Sequence, residues 1–267
     1  MAAQPIVRAS YDNPRDTYET NVMGTVNICE AIRSNIGVKS FLNVTTDKVY
    51  ENKEWIYAYR EYETLNGYDP YSNSKSCSEL VTKSYINSFF NEMGISVSTA
   101  RAGNVIGGGD FAKDRIIPDC VRAYINNQVL YIRNPYSIRP YQHVLEAIIL
   151  YLQIAMEQYN DKAKSGHYNI GPDDVNCVTT LELVDIFAKN IEDNFSYKVI
   201  GNLEEPHEAS VLKLDNSLVK QVFGWKPKYS IEDTVKLTVE WTNEWLSENT
   251  SENIKKVIDK QIYAYIM

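Results

Sequence analysis

Histidine and cysteine are scarce in this 267-residue sequence, at three and four residues. The cysteines, Cys29, Cys77, Cys120 and Cys177, stand 48, 43 and 57 positions apart. That is too far for the short spacings of a zinc site or a redox dithiol, so no metal centre is expected. No signal-peptide pattern opens the sequence, and reduced thiols in a cytoplasmic protein are the expectation. Long apolar runs are missing too. The longest, Val144 to Met156, has 13 residues and contains Glu146 and Gln153. A bilayer span needs roughly 20, so a buried helix is expected rather than a membrane segment. Positive charge is in deficit, with 27 Lys and Arg against 35 Asp and Glu and a net charge of −8. That argues against a general nucleic-acid coat, whose counterion-release binding needs a basic surface, but leaves room for a local phosphate pocket. Glycine is sparse at 12 residues. Its only cluster, Gly107-Gly108-Gly109, comes late, does not fit the dinucleotide-binding fingerprint, and reads as a tight turn. No repeat or low-complexity tract is present.

What is abundant points to a packed α/β protein. Hydrophobic residues make up 44% of the chain and there are 20 tyrosines, enough for a core and for surfaces that pair a ring with a polar tip. The length suits one large domain or two closely connected ones. Asn13-Pro14 reads as a cap and first helical position, opening a helix to about Asn35 that Gly37 ends. Ser40 to Val44 reads as a buried strand. A second helix starts near Tyr71, carries Ile86, Phe89, Phe90 and Met93 on one face, and stops at Gly94. Ile95 to Ala100 is the next strand. Such alternation builds a parallel sheet covered by helices, here over residues 1–106. From residue 107 to 267 prolines punctuate shorter elements, with helices expected at 143–159, 179–191 and 230–247. This half reads as a smaller mixed α/β lobe that exchanges strands with the first. The apolar stripes at 179–191 and 230–247 read as core.

Tyr71 and Lys75 carry the most chemical information. Four residues apart on a helix, they share one face. An ammonium near a phenol favours the phenolate, lowering a Tyr pKa from about 10 towards neutrality and making a base for a sugar hydroxyl. An exposed helical pair is the alternative. The first strand runs straight into Thr45-Thr46-Asp47-Lys48-Val49-Tyr50, and strand C-terminal ends are where open α/β sheets place ligands. Turn and cap residues are the alternative there. The next strand is followed by Arg101-Ala102-Gly103-Asn104, where small residues permit close approach and Asn104 is a phosphate donor.

On these words the chain resembles the extended short-chain dehydrogenase/reductases that modify nucleotide sugars, the NAD-dependent epimerase/dehydratase family, and within them the CDP-glucose 4,6-dehydratases. The matching stretches are Ala2-Ala3-Gln4-Pro5, Thr20-Asn21-Val22-Met23-Gly24-Thr25, Thr46-Asp47-Lys48-Val49-Tyr50-Glu51-Asn52 and Tyr71-Ser72-Asn73-Ser74-Lys75. They continue with Ala100 to Asp110, Arg133-Asn134-Pro135, Arg139 to Val144, Asn169 to Asp174 and Pro206-His207-Glu208-Ala209. Lys48 discriminates within the family: the dTDP-glucose dehydratases carry Glu after the Asp, and epimerases lack the Asp.

The resemblance implies a Rossmann-like fold, NAD as cofactor and CDP-glucose as the nucleotide-sugar substrate, converted to the 4-dehydro-6-deoxy sugar. It implies catalytic roles for Thr46, Asp47, Lys48, Tyr71 and Lys75. Tyr71, helped by Lys75, deprotonates the 4-hydroxyl; Asp47 protonates the departing 6-hydroxyl; Lys48 assists proton removal at C5; Thr46 bonds the sugar. Ala2, Ala3, Asn21, Thr45, Tyr71, Lys75 and Ala102 fall at cofactor positions, with the effect of Asn21 indirect. Asn104, Arg115, Arg133, Arg139 and His207 fall in the pyrophosphate and nucleoside region, where guanidinium forks suit phosphate oxygens. Solvated surface arginines are the alternative for Arg133 and Arg139, and a cap or core-edge role is expected for His143.

Family members also carry an N-terminal Gly-rich turn, its helix and a ribose-binding acid, and this chain begins after all three. The expectation is an incomplete doubly wound sheet, a truncated C-terminal fragment, with a separately encoded N-terminal half as a possible partner. A homodimer through helices 14–35 and 71–93 is expected of the intact protein, with no nucleic-acid or membrane partner. The rival readings are a dTDP-glucose 4,6-dehydratase, a UDP-sugar 4-epimerase, or a non-catalytic remnant that binds a nucleotide sugar or a partner chain.

Overall fold

The computed structural model describes residues 1–191, 194–200, 209–247 and 250–267. The helices in chain order are α1 (Val7–Asp12), α2 (Pro14–Tyr18), α3 (Gly24–Arg33), α4 (Pro70–Tyr85), α5 (Ile116–Ile125), α6 (Val144–Asn160), α7 (Thr180–Asn190), α8 (Ser217–Phe223), α9 (Ile231–Ser247) and α10 (Ser251–Ile266). The strands are β1 (Ser40–Val44), β2 (Ser96–Ala102), β3 (Asn104–Ile106), β4 (Val129–Ile132), β5 (Ile138–His143), β6 (His167–Ile170), β7 (Cys177–Thr179) and β8 (Ser196–Val199). The chain forms two compact units. The first comprises Met1–Gly103, Ile148–Gly171 and the described part of 207–226; the second comprises Asn104–Ala147, the described part of 172–206, and Pro227–Met267. The sequence suggests a division near residue 106 with strands exchanged between the halves; the chain crosses between units repeatedly, and one crossing falls within α6.

In the first unit β1, β2 and β6 form a parallel sheet with β2 central. β2 is buried along its whole length, as a central parallel strand should be. β1, expected to be buried, is only partly so, because it stands at one edge of this described sheet. Cys29, Ile32, Phe90, Ile95 and Val97 form a core beneath α3 and the end of α4. The helix expected from residue 14 to 35 is built in three pieces: α2, a π-helical turn over Glu19–Met23, and α3. Asn13 caps it and Pro14 takes the first position as read. α4 likewise continues through a π turn, Ile86–Phe90, to Gly94, whose φ of 70° suits glycine.

The second unit has a mixed sheet, β3-β5-β7, with β3 parallel and β7 antiparallel to β5. β4 and β8 make a separate parallel pair. Its core joins Ile117 and Cys120 of α5, Leu183, Val184 and Phe187 of α7, and Val235 and Val239 of α9. Thr179 and Glu182 close a capping box at the start of α7. Pro118, one of the prolines that punctuate this half, falls in the first turn of α5, where no intrahelical N–H is lost. The sequence reading omitted α10, whose buried Val257, Gln261 and Tyr265 recur every four residues along one face. The Gly107–Gly109 turn is filled by Trp241: a Cβ on Gly108 would lie 2.1 Å from that ring.

All four cysteines are free thiols. Among the described residues no helix is long and apolar enough to cross a membrane, and no cluster of metal-ligating side chains is present.

Two glycines should respond oppositely to alanine. Gly24 has helical φ and ψ of −57° and −39° with open space around its Cβ position, so Gly24→Ala should stabilise by up to about 1 kcal/mol. Gly108→Ala should destabilise by about 1–3 kcal/mol through overpacking against Trp241. Urea unfolding of both variants checks the pair.

Candidate active site

β1 delivers its chain end to a short 3-10 turn, Asp47–Val49, capped by Thr46. Asp47 is only 1% exposed. Its Oδ1 accepts hydrogen bonds from Thr46 Oγ1 at 2.9 Å and Lys48 Nζ at 3.2 Å. Its Oδ2 is buried with no hydrogen-bond partner among the described residues. A bare buried carboxylate oxygen is costly and marks a position where a further donor belongs.

α4 supplies the phenol and the amine. Asp69 caps it, accepting from Ser72 N–H at 2.9 Å, and Pro70 occupies the first position. The Tyr71 N–H donates to Ser10 Oγ at 3.1 Å, which fixes the first turn. Tyr71 and Lys75 are both buried, so the exposed-pair reading does not hold. Burial pushes the Lys75 ammonium towards deprotonation, and the Glu79 carboxylate one turn on opposes that shift. Lys75 Nζ donates to Val44 O at 3.4 Å, linking the helix to the end of β1. Tyr151 of α6 is buried, and burial, followed by electrostatic interaction with Tyr71 and Asp47, raises its phenol pKa. Tyr71 and Asp47 therefore lie within electrostatic reach of one buried hydroxyl.

Asn21 sits in the π turn, a distortion that recurs at functional sites. It accepts from Gln4 N–H at 2.8 Å and donates to Gln4 O at 3.0 Å and to Ser74 Oγ at 2.9 Å. Asn21 thus joins the segment carrying Ala2 and Ala3 to α4 beside Lys75, an indirect contribution. Thr45 donates to Glu79 Oε1 at 2.6 Å, and Ala102 is buried in β2 opposite Ile170.

The remaining candidates belong to the second unit. Asn104 opens β3, paired with Tyr141. Arg115 is bound to Asp110 at 2.9 Å and Arg133 to Asp114 at 3.3 Å, so one short loop holds both guanidinium groups. Arg139 is 2% exposed, in β5; a solvated surface arginine is the wrong description of it. His143 is the cap-like residue expected, its Nδ1 accepting from Leu145 N–H at 3.3 Å. His207 lies outside the described residues.

A family model described as GDP-mannose 4,6 dehydratase matches residues 1–238. The chain belongs to this family. CDP-glucose 4,6-dehydratase of Salmonella typhimurium is 48% identical over 241 residues, covering 88% of this chain and 67% of that protein. CDP-paratose 2-epimerase of Salmonella typhi is 27% identical over 259 residues, covering 88% and 74%. Among solved structures, UDP-glucuronic acid 4-epimerase of Bacillus cereus, in complex with UDP-glucuronic acid and NAD, superposes with a TM-score of 0.79 at 18% identity, covering 91% of this chain and 74% of that one. A dTDP-glucose 4,6-dehydratase from Streptomyces venezuelae with NAD bound gives 0.76 at 22% identity, covering 91% and 72%. At these identities the likeness shows the fold.

Sequence reasoning missed Tyr151 and Glu79. Glu79 was within reach of it, being the next residue on the Tyr71–Lys75 helix face; Tyr151 is brought in only by tertiary structure.

His143 provides a pH test. Burial holds its imidazole down at about 4, against an unfolded value of about 6.5. The unfolded chain therefore binds the extra proton between those values, so stability is full above about pH 6.5 and falls as pH drops towards 4. The loss is at most about 3 kcal/mol. His143→Gln should flatten the urea-unfolding free energy between pH 7 and 5 relative to the parent.

Proposed function

We propose that this chain is a nucleotide-sugar 4,6-dehydratase acting on CDP-glucose in the cytoplasm. The observation that carries the reading is the buried Asp47, its one oxygen held by Thr46 and Lys48 and its other oxygen bare, in the same unit as the buried Tyr71 and Lys75 of α4. Oxidation at C4 alone asks only for a phenol and an amine. A carboxyl group with an oxygen kept for a donor or a leaving group is what elimination of water requires in addition.

The residues divide the work. Tyr71 takes the proton of the 4-hydroxyl, and the Lys75 ammonium on the same helix face favours the phenolate that does so. A carbonyl at C4 makes the C5 proton acidic, and Lys48 assists its removal. Asp47 protonates the departing 6-hydroxyl, and Thr46 orients both the acid and the sugar. Asn104, Arg115, Arg133 and Arg139 bind the nucleoside diphosphate, with guanidinium forks suited to its oxygens.

NAD fits the residues at the ribose end of a cofactor site. Lys75 makes a single hydrogen bond among the described residues, a long one of 3.4 Å, and so keeps donors for ribose hydroxyls. Ala2, Ala3, Thr45, Tyr71 and Ala102 would complete the contact, with Asn21 acting indirectly through Gln4 and Ser74. When bound, NAD would supply a reversible hydride acceptor, taking the C4 hydrogen and giving it back at C6 once water has left, so that the 4-keto-6-deoxy product forms with no net oxidation.

The working form is a homodimer joined through α3 and α4 with their π turns, where Met23, Ile28, Leu80 and Phe89 stand exposed. Exposed apolar side chains on two helices that pack together call for a partner surface, and a second copy supplies the same one.

Product analysis with CDP-, dTDP- and UDP-glucose tests the function: loss of the 6-hydroxyl fastest from CDP-glucose supports it, and simple inversion at C4 would replace it with an epimerase. Tyr71→Phe should lower turnover at least 100-fold while calorimetry finds CDP binding within twofold of the parent. Leu80→Glu should shift the protein from dimer to monomer in light scattering with the helical circular dichroism retained.

A further inference from the structure

The buried charge pair behind the catalytic helix is not used by the chemistry above. Glu79, 1% exposed, follows Lys75 by one turn and Tyr71 by two. Its carboxylate accepts from Thr45 Oγ1 at 2.6 Å, from Thr99 Oγ1 at 2.8 Å, and from Arg101 Nε and Nη2 at 3.0 Å each. His167 Nδ1 stands 3.5 Å away. Arg101, 2% exposed, donates onward to the Tyr50 hydroxyl at 3.0 Å and to Glu61 O at 2.8 Å. Tyr50 in turn donates to Asn169 Oδ1 at 2.5 Å.

Buried ion pairs seldom add net stability, because desolvation cancels most of the attraction. Burial alone would push the Glu79 carboxyl up, yet hydrogen bonds from His167 and Arg101, with the guanidinium charge, hold it at about 2. The pair is thus fully charged and fully bonded, and its bonds reach three elements: α4, the chain end after β1, and β2. A single carboxylate so bonded leaves the helix little freedom to slide or roll on the sheet.

We propose that Glu79 is a positioning residue for the dehydratase, locking α4 onto the ends of β1 and β2 so that Tyr71 and Lys75 keep their register against Thr46 and Asp47. This rests on the proposed dehydratase function. Arg101 acts through Glu79 and holds its carboxylate in one orientation. The charge of Glu79 also opposes the loss of charge that burial imposes on Lys75.

The test uses Glu79→Gln, Glu79→Asp and the double variant Glu79→Leu/Arg101→Met, which swaps the pair for apolar side chains and should unfold in urea close to the parent. In Glu79→Gln and the double variant, kcat for CDP-glucose should fall at least tenfold with KM within twofold, and Glu79→Asp should recover part of kcat. Amide exchange of Thr45 to Val49, read by mass spectrometry, should quicken at least fivefold in the double variant while its global unfolding free energy is unchanged. Parental kcat in the folded double variant, or unchanged exchange at Thr45 to Val49, would overturn the proposal. If the parent itself dehydrates none of the three sugar nucleotides, the functional reading fails, and the exchange measurement alone decides whether Glu79 positions this segment.

Discussion

The junction between one helix and the ends of two parallel strands is the constraint on which the first unit depends. A parallel sheet gathers its strand ends on one edge, and the polar groups there must be satisfied or exposed. In this chain one carboxylate answers for several of them, binding a threonine after β1, a threonine in β2 and an arginine of β2 at once. The hydroxyl-rich face of α4 continues the pattern. Ser74 meets Asn21, Ser76 reaches Val49 O, and Ser78 and Thr82 meet Asn43. A helix held by polar bonds of fixed direction packs in one way, whereas an all-apolar face tolerates several.

That rigidity makes sense of the costly features nearby. Lys75 is buried against its preference for charge, and Asp47 keeps a bare oxygen out of water. Buried charged or unsatisfied groups of this kind cost free energy in the folded state and persist where binding or chemistry uses them. The second unit shows a different economy. Its arginines 115 and 133 are held by aspartates of a single loop, a pairing of partly exposed charges.

Much of this was legible in the residues. The strand Ser40–Val44 stands where the compact apolar run put it, the Asn13 cap and Gly94 stop are real, and helices α6, α7 and α9 fall within a residue of their periodic stripes. Local chemistry decides such features. The π turns were not legible; in the first of them Asn21 is held between Gln4 and Ser74, the latter 53 residues away. α10 was hidden by a weak apolar stripe in which buried Gln261 and Tyr265 replace aliphatic residues. An exchange of strands between the halves was expected, but not which strands cross, since that depends on partners far apart in sequence, such as β2 and β6. Of the site, the Thr46-Asp47-Lys48 and Tyr71–Lys75 words could be read directly. The electrostatic coupling of the buried Tyr151 to Tyr71 and Asp47 could not.

The proposed dehydratase function depends on Asp47 as its acid. The direct measurement is the product formed from CDP-glucose by the parent and by Asp47→Asn, with loss of the 6-hydroxyl followed by mass spectrometry and NMR. The account predicts that the parent makes the 6-deoxy-4-keto sugar and that the asparagine variant loses at least 100-fold in water elimination. Water elimination by Asp47→Asn at the parental rate would contradict it.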